Sequence, residues 1–123
     1  CQWAADFHLQ LMMASQGTKE DVALLISHTG SGYDSIALAE ELKANQVKLV
    51  VLTSNPRSPL ARLADYILTV KTGASGAVSE SFSARIVALA IIDLLYIHVM
   101  ELLDERGIEQ LNRMRASIAK RRV

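Results

Sequence analysis

The chain predicts an α/β fold built on a parallel sheet, and two observations carry that expectation. Three short runs rich in branched apolar residues, at about 22–27, Lys48–Thr53 and Tyr66–Val70, are too short for helices and suit strands. The first of them, Val22–Ile26, is apolar throughout and reads as a strand buried on both faces. Segments of helical periodicity alternate with these runs, and strand–helix alternation at this spacing argues for βαβ units.

The elements follow in order. Cys1–Ala4 reads as the frayed end of a strand. Asp6 is a cap or first-turn acid for a helix through Gln16, with Leu9, Met12 and Met13 as its apolar stripe and Gly17 as its stop. After the first strand the pattern turns helical at about 34–45, through Ile36, Leu38, Ala39 and Leu42. The second strand ends in Ser54-Asn55-Pro56-Arg57-Ser58-Pro59, strong turn punctuation. Ser58 caps the short helix that follows, Leu60–Ala64, with Pro59 at its first position. The third strand runs into a loop, Lys71–Val78, and then into the longest helix, about Ser79–Leu103.

Between Ile86 and Leu103 only Asp93, His98 and Glu101 interrupt an apolar stretch. A membrane span is one reading, but Asp93 near its centre would cost about 2.5–3.5 kcal/mol on insertion scales. A helix apolar nearly all round is more simply a core helix that also meets a second subunit. Glu105–Arg122 is a last amphipathic helix, with Ile108, Leu111 and Ile118 on one side and a basic end that suits a solvated helix terminus.

At 123 residues, half of them hydrophobic, this is one domain with a real core and zero formal net charge. That balance supplies no global attraction to nucleic acid or an anionic membrane. The single cysteine, Cys1, excludes an internal disulfide and a cysteine-rich metal site. No charged segment precedes an apolar core at the N-terminus, so a cytoplasmic protein is expected. The start at Cys1, without a methionine, reads as a fragment of something longer.

Chemistry concentrates at Ser27-His28-Thr29-Gly30-Ser31-Gly32, where the first strand hands over to a helix. Helix N-termini carry unpaired N–H groups and partial positive charge, so such turns bind anions, phosphate above all. Glycines let the backbone approach a ligand closely, and hydroxyls add donors. A plain capped turn is the alternative reading of the same residues. The spacing is neither a Walker loop nor a dinucleotide fingerprint. His28 lies in the loop; His98, on the apolar helix, reads as a buried or interface histidine, and Asp93 as a group capped or paired within helix packing. No H-x-x-x-H or H-E-x-x-H spacing occurs, and Ser27 lacks a nucleophile-elbow context. No metal, cofactor or catalytic residue is expected.

The blocks L-L-I-S-H-T-G-S-G, A-x-x-L-K-A-x-x-V and V-L-T-S-N-P-R-S-P-L-A-R-L-A-D resemble a sugar isomerase (SIS) domain. The Asp6-x-His8 start and Arg85–Asp93 narrow the resemblance to the effector-binding domain of RpiR-type bacterial transcription regulators. It covers nearly the whole chain. It implies a three-layer sandwich with a flavodoxin-like parallel sheet that binds phosphorylated sugars, with Ser27–Gly32 gripping the phosphate. Ser27, Thr29 and Ser31 match the hydroxyl and small positions of the family's S-x-S-G-x-T loop, with Gly30 its glycine. Gly32 stands where the family usually has a hydroxyl residue. The resemblance places His8 to reach the sugar body and Glu80, at the start of the long helix, among the polar sugar contacts. It also implies a first βα unit and an N-terminal helix-turn-helix domain, neither of which is in this chain.

Two functions follow. One is a phosphosugar-sensing regulatory domain, homodimeric or of higher order through the long helix around 79–103, which takes a sugar phosphate (an aminosugar phosphate included) and reaches DNA only through the absent domain. The other is an aldose–ketose phosphosugar isomerase on the same fold, with Glu80 or His8 as base. The arabinose-type isomerases of the family carry an H-P-G-G-x-L-G segment after the long helix, and this chain has the basic helix instead. Sensing is the preferred expectation.

Overall fold

The computed structural model of the chain describes residues 1–73 and 77–120, and of residues 77–81 the backbone only. It divides into two compact units, Cys1–Val87 and Ala88–Val123.

The first unit runs α1 (Phe7–Ser15), β1 (Val22–Ile26), α2 (Tyr33–Ala44), β2 (Lys48–Thr53), α3 (Pro59–Leu63) and β3 (Tyr66–Thr69). Its three strands are all parallel, in the order β1-β2-β3, with Val22 opposite Lys48 and Val50 opposite Tyr66. The predicted α/β alternation is therefore present. Residues 1–4 are coil, not the end of a strand.

Caps set the helix boundaries. Asp6 Oδ1 accepts from Leu9 N at 3.1 Å, and Ser58 Oγ accepts from Ala61 N at 3.2 Å with Pro59 behind it. Just past the Asn45 C-cap of helix α2 stands Gln46, a non-glycine residue at φ 60°, while Val47 N donates to Leu42 O at 3.0 Å. That left-handed closure is the helix-ending geometry glycine usually supplies.

A hydrophobic core cluster lies on one side of the sheet, while Leu52, alternating onto the other face of β2, is also buried, at 1% exposed. Leu49 and Val51 of β2 are fully buried against Leu38, Ala39 and Leu42 of α2 and Leu60 of α3, with Ala23 and Leu25 of β1 partly buried beside them. The other face of β1 is open: Val22, Leu24 and Ile26 are 69%, 39% and 55% exposed. The expectation that β1 is buried on both faces therefore fails. As the edge strand, β1 pairs with β2 alone, and α1–α3 pack on the face carrying Ala23 and Leu25.

The long helix α4 is assigned over Ala77–Ala119, but Asp104 inside it has φ 48° and ψ −131°. Two helical arms thus meet at the residue where the sequence predicts one helix to end and another to begin. A core helix is not what forms. The stretch from Phe82 is long and apolar enough to cross a membrane by length and composition, yet none of its apolar window is buried. Within the second unit, the described residues up to Ala119 belong to this one helix. His98 is correspondingly exposed, and its Nδ1 lies 2.9 Å from Leu94 O. Asp93 is exposed and forms no ion pair among the described residues.

Candidate functional site

Two loops at the C-terminal ends of β1 and β2 are sutured together. Ser27 N donates to Leu52 O at 3.0 Å, extending the strand pairing by one bond. His28 O then accepts twice, from Ser54 N at 3.0 Å and from Thr53 Oγ1 at 3.1 Å. Gly30 O accepts from Leu60 N at 3.1 Å, and Gly30 N donates back to Ser27 Oγ at 3.2 Å. His28 Nδ1 and Ser54 Oγ share a further hydrogen bond of 2.8 Å.

Gly30 is the pivot. It is buried, its φ is 64°, and a Cβ there would stand 2.1 Å from Ser58 Oγ. Only glycine meets both the left-handed backbone and the close approach. Thr53 and Ser58, each 1% exposed, form the buried wall it leans on. All their side-chain polar atoms are satisfied, since no buried side-chain nitrogen or oxygen lacks a partner among the described residues.

Past Gly30 the loop turns outward. Thr29, Ser31 and Gly32 are exposed, and Ser31 Oγ donates to Thr29 Oγ1 at 3.0 Å. Gly32 is the N-cap of α2, at φ −67° and ψ 129°, with no side-chain capping bond. The first backbone bond of the helix is Ile36 N to Gly32 O at 3.1 Å, so the N–H groups of Tyr33, Asp34 and Ser35 precede it. A 12-residue helix thus presents an uncapped positive end beside two exposed hydroxyls. Asp34 in its first turn is an exposed acid that already complements part of the dipole.

Ser27, His28, Thr29, Gly30, Ser31 and Gly32 are therefore gathered as one structured loop. His8 lies on α1 with its side chain 88% exposed, and its near neighbours are Asp6, at 3.9 Å between Nδ1 and Oδ1, and the Phe7 ring. Glu80 lies outside the described side chains. Thr53, Ser54 and Ser58 were absent from the sequence-derived site. The T-S-N-P-R-S-P block signalled a turn and a helix cap, but nothing local to it says that its hydroxyls brace another loop.

The SIS domain family matches residues 4–98. The chain is 35% identical over 112 residues, 91% of its length, to the HTH-type transcriptional regulator RpiR of Escherichia coli K12. It is 28% identical over 120 residues to an uncharacterized HTH-type transcriptional regulator of Thermotoga maritima. The chain spans only 36% and 42% of the lengths of those two relatives. Among solved structures, the Vibrio vulnificus NanR protein complexed with ManNAc-6P superposes with a TM-score of 0.84 at 22% identity, over 98% of this chain and 46% of that one. That likeness shows that the two share a fold.

Proposed function

The chain belongs to the SIS domain family, and from that premise we propose that it is the phosphosugar-sensing part of a cytoplasmic bacterial transcription regulator. The observation that carries this reading is the uncapped N-terminus of α2, presented by a loop that Gly30 locks against Ser58. The phosphate sits at that end, taking N–H groups from the first turn and hydroxyls from Ser27, Thr29 and Ser31. His28 contributes mainly through its backbone, since its carbonyl and ring are both tied to the β2–α3 loop. The family resemblance assigns His8 and Glu80 to the sugar body rather than to the phosphate.

The family relatives support a regulatory role, being described as HTH-type transcriptional regulators. NanR, which shares the fold, binds an aminosugar phosphate, and a ligand of that class suits the loop here. Binding shifts only those equilibria in which the ligand prefers one state, so the sugar phosphate acts by biasing the arrangement of paired chains and hence of the DNA-reading domains they carry. The exposed apolar surface of α4 is the pairing surface. We read the domain as a binding module without isomerase activity.

A thermal-shift panel tests this. Aldose, ketose and aminosugar 6-phosphates are expected to include at least one that raises the melting temperature, while the unphosphorylated counterpart leaves it unchanged. A flat panel, or turnover of a sugar phosphate, defeats the proposal.

A further inference from the structure

The second unit carries an asymmetry that the sensing role does not use. In its first arm, from Ala88 to the break at Asp104, there is no lysine or arginine, and Asp93, Glu101 and Asp104 are acidic. Beyond Glu105 the balance reverses: Arg106, Arg113, Arg115, Lys120, Arg121 and Arg122 face a lone acid, Glu109. Each arm also exposes apolar surface. Leu94, Ile97 and Val99 of the first are 56%, 48% and 51% exposed, and Ile108, Met114 and Ile118 of the second are 57%, 53% and 56% exposed.

The break shapes a receiving surface. Gly107 is buried, and a Cβ there would meet Leu103 Cβ and Met100 Cε at 3.1 Å, so the arms meet closely at this glycine. Beside it opens a cleft lined by Tyr96, Ile97, Met100, Ile108 and Leu111 together with the acids Glu101 and Asp104. A largely apolar lining that includes two acids fits a basic amphipathic helix, read through apolar anchors at helical spacing. The second arm of this same chain is such a helix.

We propose that two copies pair through this unit in antiparallel fashion, the acidic first arm of each seated against the basic second arm of the other. A two-fold axis makes the contact self-complementary, so one asymmetry satisfies both halves of the interface. Parallel pairing sets acid on acid and base on base, which like-charge juxtaposition disfavours. The inference rests on the reading of α4 as the pairing surface and adds its direction, the arm that enters the cleft and the charges that select it.

Sedimentation of the whole chain provides the test. Dimerisation is expected to weaken by about tenfold or more between low salt and about 0.5 M, where the screening length falls to a few ångströms. Two charge-reversed chains, Asp93→Lys with Glu101→Lys, and Arg115→Glu with Lys120→Glu, are each expected to be monomeric. Mixed in equal amounts, they are expected to restore a dimer containing one of each, a recovery that misfolded variants do not give. A dimer indifferent to salt and to both variants overturns the antiparallel arrangement while leaving α4 as the pairing surface. A monomeric wild-type chain, or one that binds neutral lipid vesicles in place of itself, overturns both, and the sugar-phosphate panel remains an independent readout of sensing.

Discussion

Leu49 and Asp65 grip each other through two reciprocal hydrogen bonds of 2.8 Å. The Leu49 N–H donates to Asp65 Oδ2, and the Asp65 N–H donates to Leu49 O. Lys43 Nζ, from the last turn of α2, donates to both carboxylate oxygens at 3.2 Å, and Lys48 Nζ lies 3.6 Å away. One side chain thus ties the start of β2 to the end of α2 and to the α3–β3 connection. The Leu49 N–H comes first among the causes that hold the Asp65 carboxyl below the ordinary aspartate value of 3.8, and the Lys43 hydrogen bond comes second.

The sign of the resulting pH dependence follows. A carboxyl with a lowered folded-state pKa stabilises the fold fully above its unfolded value, and that contribution is lost as pH falls through the folded one. Asp65→Asn is therefore expected to lower the melting temperature at neutral pH. The wild-type advantage over the variant is expected to shrink on acidification below about pH 4. Melting curves of both proteins from neutral pH into the acid range check it; a gap that is constant with pH refutes a role for the charge.

Gly30→Ala is expected to be severe. Left-handed backbone costs a non-glycine residue about 1–2 kcal/mol, and forcing a methyl into a packed wall adds about 1–3 kcal/mol. Removing the obstacle by Ser58→Gly, tolerable at an N-cap, is expected to recover part of the loss. The two changes should then combine to less than their sum, because the residues touch. Urea denaturation of the two single variants and the double variant measures the coupling, and strict additivity argues against the Gly30–Ser58 contact.

The sequence made much of this architecture legible because local chemistry marks it. Apolar runs bounded by turn residues located β1, β2 and β3; Asp6 and Ser58 announced their helices; and the break at Asp104 falls between two different hydrophobic patterns. The burial of β1 was not legible, since an apolar run reports affinity for a core but not whether a layer is there to cover it. Nor was Gln46 at φ 60°, because glutamine carries no signal for a left-handed helix end. Within the site, the loop from Ser27 to Gly32 was visible as a contiguous motif. Its bracing by Thr53, Ser54 and Ser58 joins residues some 25 positions apart, as in the Thr53–His28 bond, and spacing does not encode such a pairing.

The Ser27 hydroxyl holds two roles. Its Oγ accepts from Gly30 N at 3.2 Å, and its O–H is then left to donate to a bound phosphate. Ser27→Ala removes both and is expected to weaken sugar-phosphate binding by about 1.5–3 kcal/mol, the worth of a hydrogen bond to a charged group. Ser27→Thr keeps the hydroxyl and is expected to retain most of the affinity. Calorimetric titration of both variants decides; equal losses in the two would point to packing rather than donation.

Gly32→Ser adds what the loop lacks. Gly32 has an extended backbone at φ −67° that any residue adopts, and a Cβ there would meet only Ser35 Oγ, at 3.6 Å. Glycine is therefore not required at this position, unlike at Gly30. A serine N-cap is worth a few tenths of a kcal/mol over glycine in helix stability, since its oxygen accepts from the first-turn N–H groups. That same oxygen competes with a bound phosphate for those donors, whereas its O–H adds a donor directed at the anion. On the proposed function the second effect prevails, because hydrogen bonds to charged groups outweigh neutral ones. Gly32→Ser is then expected to raise both the melting temperature of the free chain and its affinity for a sugar phosphate, the latter by up to about tenfold. Higher stability with lower affinity would mean that the exposed end of α2 serves as a plain helix terminus rather than as the phosphate seat.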